Sequence, residues 1–188
     1  MRSVKIASAA IALVVFAFTM GAHADGLQPP TLPSGCANLQ VLDGSMVKFH
    51  AYATGSQIYR WNGISWVFLG PLATLSADPG YHGQVGIHHA LAADVNGLNG
   101  VPTRPVWESK SGSNVVGKRE AACTPDPAAI PWLRLSEVST QGPGVFDGVT
   151  NIQRVNTVGG LAPSTPGATD EVRYVPYTAE YFFYSVND

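Results

Sequence analysis

Three histidines fall inside one decapeptide, Tyr81 to Ala90, which reads YHGQVGIHHA. Imidazole is the commonest metal ligand and the side chain best suited to moving protons near neutral pH. The chemistries to weigh first are therefore a metal centre and general acid-base catalysis. Spacing argues against the metal. In an extended chain His88 and His89 project to opposite faces, and His82 and His88 lie about 20 Å apart. Zinc needs each imidazole nitrogen within about 2.0–2.1 Å of one ion, so His50, Asp94 or Glu108 would have to arrive from elsewhere in the fold. No metal and no cofactor is assigned. Proton transfer needs fewer partners, and His88 as base with Glu108 as acid would suffice for a hydrolase or lyase. A glycosidase needs two carboxylates about 5 to 9.5 Å apart across a cleft, and Glu108 has no evident partner in the sequence. The GxSxG elbow, HExxH, CxxC, the Gly-rich phosphate loop and the dinucleotide fingerprint are all absent from the chain.

A second group with chemistry is the Arg in VTNIQRVNT. Alternation along a strand places Gln153 with Val149 and Val155 on one face, and Arg154 with Ile152 and Asn156 on the other. Polar side chains within a strand cost energy unless hydrogen-bonded. Two readings follow: an internal network tying strand to loop, or a guanidinium fork offered to a ligand carboxylate or sulfate. In IPWLRL the same alternation turns Leu133 and Leu135 inward and Trp132 and Arg134 outward, with Pro131 suggesting an edge strand.

The elements that must position these groups read as β throughout. No window beyond the N-terminus sustains apolar residues at i, i+3, i+4, i+7. Short runs rich in Val, Ile, Thr, Tyr, Phe and Trp recur between Gly, Pro, Asn and Asp clusters. Strands are expected at 46–52, 57–61, 64–69, 84–89, 106–108, 115–118, 132–138, 149–158 and 177–186. The expected fold is an all-β, single-domain antiparallel β-barrel or β-sandwich with long Gly/Pro loops. The loops are DVNGLNGVPTR, Asp94 to Arg104, and TVGGLAPSTPGATD, Thr157 to Asp170. In QIYRWNGISWVF, Asn62-Gly63 suits a two-residue type I′ turn, which pairs Trp61 with Ile64, Arg60 with Ser65, Tyr59 with Trp66 and Ile58 with Val67. One face then carries Tyr59, Trp61, Ile64 and Trp66. Such a face serves either as core or, if exposed, as a platform for stacking a sugar or another flat ligand.

Compartment and charge narrow the classes further. Arg2 and Lys5, an uncharged run from Ile6 to Met20 and AHA at Ala22 to Ala24 form the pattern of a secretory signal peptide over residues 1–24. Residues 25–188 then form one β domain, exported to the periplasm or the extracellular medium. Loss of Arg2 and Lys5 takes the formal charge from −2 to −4. With basic residues scattered singly, nothing suits a nucleic acid partner, and no later apolar stretch is long enough to span a bilayer as a helix. In an oxidising compartment the two cysteines, Cys36 and Cys123, are expected to form a disulfide; the alternative is two buried free thiols. No feature specifies an oligomeric state.

Successive blocks then give a resemblance. GSQIYRW, WVFLGPLATL, GQVGIHH, RPVWESKSGSNVVG, AIPWLRL, VTNIQRVNTVGGLAP and VPYTAEYFFY resemble, in order, the blocks of the family of domain of unknown function 3455, secreted bacterial and fungal proteins. The resemblance runs from about Gly55 to Tyr184 and implies a shared, mostly β fold but no activity. It matches His88 to the family histidine after VG, and Pro105 and Trp107 to a later GP-x-W element. The chain departs from the pattern by inserting ALAADVNGLNGVPT between the two, which would reshape the rim of any site near His88. It also carries Trp61 where relatives are expected to have a cysteine, and PSTPGATD lacks the later cysteine that would pair with it. These observations favour a non-catalytic binding module for a glycan or small apolar ligand, with contacts from Tyr59, Trp66, His88, Trp107, Glu108 and Arg154. The His88/Glu108 hydrolase or lyase is the first alternative, and a cell-envelope or secreted structural protein is the second.

Overall fold

A computed structural model of the chain describes residues 27–90 and 104–186. The signal-peptide segment and most of the loop from Asp94 to Arg104 lie outside the described residues. After a short 3-10 helix, Ser34–Leu39, come eight strands: β1 (Ser45–Trp61), β2 (Trp66–Ser76), β3 (Gln84–Ala90), β4 (Pro105–Ser109), β5 (Asn114–Cys123), β6 (Trp132–Gln141), β7 (Asn151–Gly159) and β8 (Val172–Val186). Each pairs antiparallel with its neighbour in sequence, and β8 returns to pair with β1, closing a barrel. Closure removes both sheet edges, which settles the choice between barrel and sandwich.

Eight strands enclose a space that side chains nearly fill, and the inward residues are graded by size to suit it. Small and large residues alternate among them: Ala51, Ala53, Ala73 and Ala179 leave room that Trp107, Tyr181 and Phe183 occupy, with Ala51 paired directly to Tyr181; all seven are buried. One end is plugged by aromatics: Phe146, from the connection between β6 and β7, sits 4.7 Å from Phe183 and 6.0 Å from Phe49, centroid to centroid. The plug is held by the β4–β5 turn, where Ser113 Oγ accepts a hydrogen bond from the Phe146 amide at 3.3 Å and contacts Ser109 Oγ at 2.9 Å. A second, outer core forms where Cys36, Leu39 and Val41 cover Trp132, Val155, Phe182 and Tyr184. Gln153 belongs to this layer: its Nε2 donates to the Leu39 carbonyl at 2.7 Å and its Oε1 accepts from the Tyr184 hydroxyl. Cys36 and Cys123 form the expected disulfide, Cα to Cα 5.5 Å, which staples the N-terminal segment to the end of β5.

Two local expectations are corrected. The β1–β2 connection is a four-residue loop, with Trp61 paired to Trp66, Arg60 to Val67 and Tyr59 to Phe68. Only Gly63 of the Asn-Gly pair has positive φ, whereas a type I′ turn needs both. Asn62 instead spends its Oδ1 accepting from the amides of Ile64 and Ser65, at 2.9 and 2.8 Å. Ile64 is consequently exposed in the loop, and Phe68 takes its place on the aromatic face. On β7 a bulge between Val155 and Val158 puts Asn156 at φ 50. Asn156 therefore leaves the face of Ile152 and Arg154, and Thr157 turns in to donate its hydroxyl to the Ile130 carbonyl at 2.6 Å.

Candidate functional site

The end of the barrel opposite the Phe146 plug is not filled by the described residues. A cavity of about 630 Å³ opens there, with walls that include Gln57, Tyr59, His88, Trp107, Arg154 and Tyr181. Strand alternation explains their convergence. His88 pairs with Ala73 on β2 and with Trp107 on β4, and Arg154 pairs with Leu133 on β6 and with Tyr181 on β8. Directly paired residues share a face of the sheet, so all of these side chains face inward.

His88 is stacked on Trp107, centroids 4.5 Å apart and planes 7° apart, while Tyr181 meets both edge-on at 5.0 and 5.4 Å. Its Nδ1 lies 2.8 Å from the Val106 carbonyl; a carbonyl only accepts, so Nδ1 carries the proton and Nε2 keeps its lone pair. Burial pushes the imidazole down to about 3, and the nearby Arg154 charge pushes the same way against the Val106 hydrogen bond. His88 is thus neutral at physiological pH and a weak base there. Arg154 donates through Nε and Nη2 to the Pro131 carbonyl, at 3.2 and 2.8 Å. It spends two of its five N–H donors on one oxygen. Tyr59 is buried in the wall and donates to the Gly160 carbonyl at 2.7 Å, and burial pushes its phenol pKa up, disfavouring ionisation.

Several polar atoms around the cavity remain unsatisfied among the described residues. Gln57 Nε2 and Trp107 Nε1 are buried with no hydrogen-bond partner. The Tyr177 and Tyr181 hydroxyls lie near enough to influence each other's ionisation, but neither makes a hydrogen bond of full geometry. An unmade hydrogen bond at a buried group costs about 1–3 kcal/mol. Three of these residues, Gln57, Trp107 and Tyr181, line the cavity, and a mostly apolar wall with a few such polar groups suits a ligand pocket.

Four of the six contact residues named from the sequence, Tyr59, His88, Trp107 and Arg154, line this cavity. Trp66 and Glu108 do not join them. Trp66 is held under the β7–β8 loop, its Nε1 donating to the Thr165 carbonyl at 2.9 Å, and it meets Trp61 edge-on at 5.5 Å. Glu108 alternates with Trp107 on β4, so its carboxylate sits on the outer surface, 3.5 Å from His89 Nε2. His88 and Glu108 are therefore on opposite faces of one sheet. The remaining histidines are dispersed too: His82 contacts Asp78 at 3.1 Å and His50 contacts Glu180 at 2.9 Å. Among the described residues no group of three or more His, Cys, Asp or Glu side chains is placed to hold a metal ion. Sequence reasoning missed Gln57, Phe68, Arg119 and Tyr181 in the lining. Tyr181 was the one within reach, since it alternates with Phe183 on the strand that closes the barrel.

Fold and cavity together define the class: a closed, eight-stranded antiparallel barrel with one plugged end and a pocket at the other. The chain belongs to the family described as Protein of unknown function (DUF3455), whose model matches residues 43–185. Neither the curated proteins nor the solved structures contain a match to it. No helix among the described residues is long and apolar enough to cross a membrane.

Proposed function

We propose that this protein is an exported, non-catalytic binding module that takes a small, largely apolar ligand into the open end of its barrel. The observation that carries this reading is the cavity of about 630 Å³, walled by aromatics and bordered by buried, unsatisfied donors. Its size is that of small-molecule sites, about 300–1,000 Å³. A small ligand is favoured over a glycan because the aromatic face is not an open platform: Tyr59 is buried and Trp66 is tied to Thr165. Binding is favoured over turnover because His88 is a weak base whose proposed acid, Glu108, lies outside the barrel. Export accords with the N-terminal pattern of charge, apolar run and small residues, and with a disulfide, which persists in oxidising compartments.

The neutral dye N-phenyl-1-naphthylamine, whose emission rises in apolar surroundings, tests the reading. It should bind the wild-type protein saturably, and Leu133→Trp, which fills the cavity from its wall, should abolish binding while the far-ultraviolet circular dichroism is unchanged. Trp107→Ala should weaken binding and Trp66→Ala should not. Equal dye binding by wild type and a folded Leu133→Trp would place the ligand elsewhere and defeat the proposal.

A further inference from the structure

We infer that the natural ligand is a small organic anion, an apolar or aromatic body bearing one carboxylate or sulfonate, with its anionic group held by Arg154. The inference rests on the interior-ligand reading above and adds the charge of the ligand to it. Three observations converge. The first is the sign of the cavity: among the described residues its lining includes Lys118, Arg119 and Arg154 and no Asp or Glu, on a chain whose formal charge is −2. Lys118 is offset by Glu120 at 3.2 Å, and Arg119 and Arg154 contribute to the local potential. Clefts lined by one sign of charge concentrate ligands of the other.

The second observation is the setting of Arg154. Its inward position, between Leu133 and Tyr181 in the register of β6, β7 and β8, places a permanent cation among apolar side chains. No carboxylate among the described residues pairs with it. A cation in such a setting is ordinarily matched by an anion, and a planar guanidinium with donors to spare matches a carboxylate or sulfonate in particular. Third, Trp107 Nε1, on a residue of the cavity wall, is a buried donor without a hydrogen-bond partner. A ligand supplying an acceptor oxygen would satisfy it, whereas a hydrocarbon would leave the bond unmade. The apolar remainder of the lining, Phe68, Ile130, Leu133 and Leu135, accommodates the body of the molecule.

Two dyes with one body separate charge from apolarity: 1-anilinonaphthalene-8-sulfonate is an anion, and N-phenyl-1-naphthylamine is its neutral counterpart. Both would be titrated into wild type, Arg154→Met, Arg119→Ala and the cavity-filled Leu133→Trp, each checked for folding by circular dichroism. The sulfonate should bind wild type the more tightly although it is the less apolar dye, and Arg154→Met should cost it about tenfold or more, the worth of a charge-assisted hydrogen bond, while leaving the neutral dye nearly unchanged. Arg119→Ala, nearer the mouth, should weaken the sulfonate by a smaller factor. If Arg154→Met does not fold, the wild-type preference and Arg119→Ala decide together. Neutral-dye binding that equals or exceeds sulfonate binding, or a folded Arg154→Met that keeps sulfonate affinity, overturns the anion while the interior-ligand reading stands. Failure of both dyes to bind wild type overturns that reading and the inference with it.

Discussion

At the residue scale His88 links the interior to acid stability. Its imidazole is held near 3 by burial, against about 6.5 in an unfolded chain. Below the unfolded value the unfolded state binds a proton that the folded state refuses, so stability is full above about pH 6.5 and falls as pH drops toward 3. The cost approaches about 1.4 kcal/mol per pH unit within that window. His50, whose pKa burial also lowers in spite of Glu180, contributes in the same direction. Urea denaturation at pH 7.5 and 4.5 should therefore show a marked loss at the lower pH, and His88→Phe, which removes one titrating group, should shrink that loss by about 3 kcal/mol. An identical pH dependence in the two proteins would mean that His88 is solvated and that the cavity is wetter than its burial implies. The position of His88 was partly legible in the sequence: alternation in GQVGIHHA separates His88 from His89, and the two do face opposite sides. The weakness of His88 as a base was not, because it comes from complete burial, under its β4 partner Trp107 and against Tyr181 of β8, a strand that the sequence does not place beside it.

At the element scale the strands are longer than their sequence runs suggest. Two short strands expected at 46–52 and 57–61 are a single strand, β1, that continues through Gly55. A Cβ there would sit 2.2 Å from the Leu72 carbonyl oxygen and 2.4 Å from Ala73 Cα. Sequence reading treats a mid-strand glycine as a break, yet here it sits where the β2 backbone leaves no room for a Cβ. Gly55→Ala should destabilise by about 1–3 kcal/mol through overpacking that backbone cannot relieve. Gly63→Ala, with open space around it but φ 94, should cost only the left-handed strain, about 1–2 kcal/mol. Chemical denaturation of both variants measures the contrast, and equal costs would contradict the close approach. The β1–β2 loop failed for the opposite reason. Asn62-Gly63 is a strong local turn signal, but Asn62 capped the next two amides instead, and the register moved with it. Because both loop lengths are even, the inward parity of Tyr59, Trp61 and Trp66 survived the error.

At the scale of the whole molecule, alternation revealed an all-β chain but could not choose between sandwich and barrel, since closure rests on the pairing of β1 with β8, the two most distant strands in sequence. The cavity was likewise illegible: among the described residues it is the space left beside Tyr59, Trp107 and Tyr181 when Phe146 plugs the other end, and those residues come from strands far apart in sequence. The disulfide was legible from cysteine count and compartment alone. By constraining a segment 87 residues long in the unfolded chain, it should contribute about 4–5 kcal/mol. Reduction, or Cys36→Ser with Cys123→Ser, should lower the denaturation midpoint by a corresponding amount and loosen the outer layer of Leu39 and Val41 first. An unchanged midpoint would show that this layer holds without the bridge.

The central claim is that the barrel interior is a ligand site, and nuclear magnetic resonance of the indole N–H groups tests it most directly. The chain has four tryptophans: Trp107 in the cavity wall, Trp132 on the outer face, and Trp61 and Trp66 beside the β1–β2 loop. On titration of ¹⁵N-labelled protein with N-phenyl-1-naphthylamine, the Trp107 indole resonance should shift saturably, with a bound dye stacked near it, and the Trp132 resonance should stay in place. Shifts confined to Trp132, or saturable binding that leaves Trp107 unmoved, would contradict an interior site.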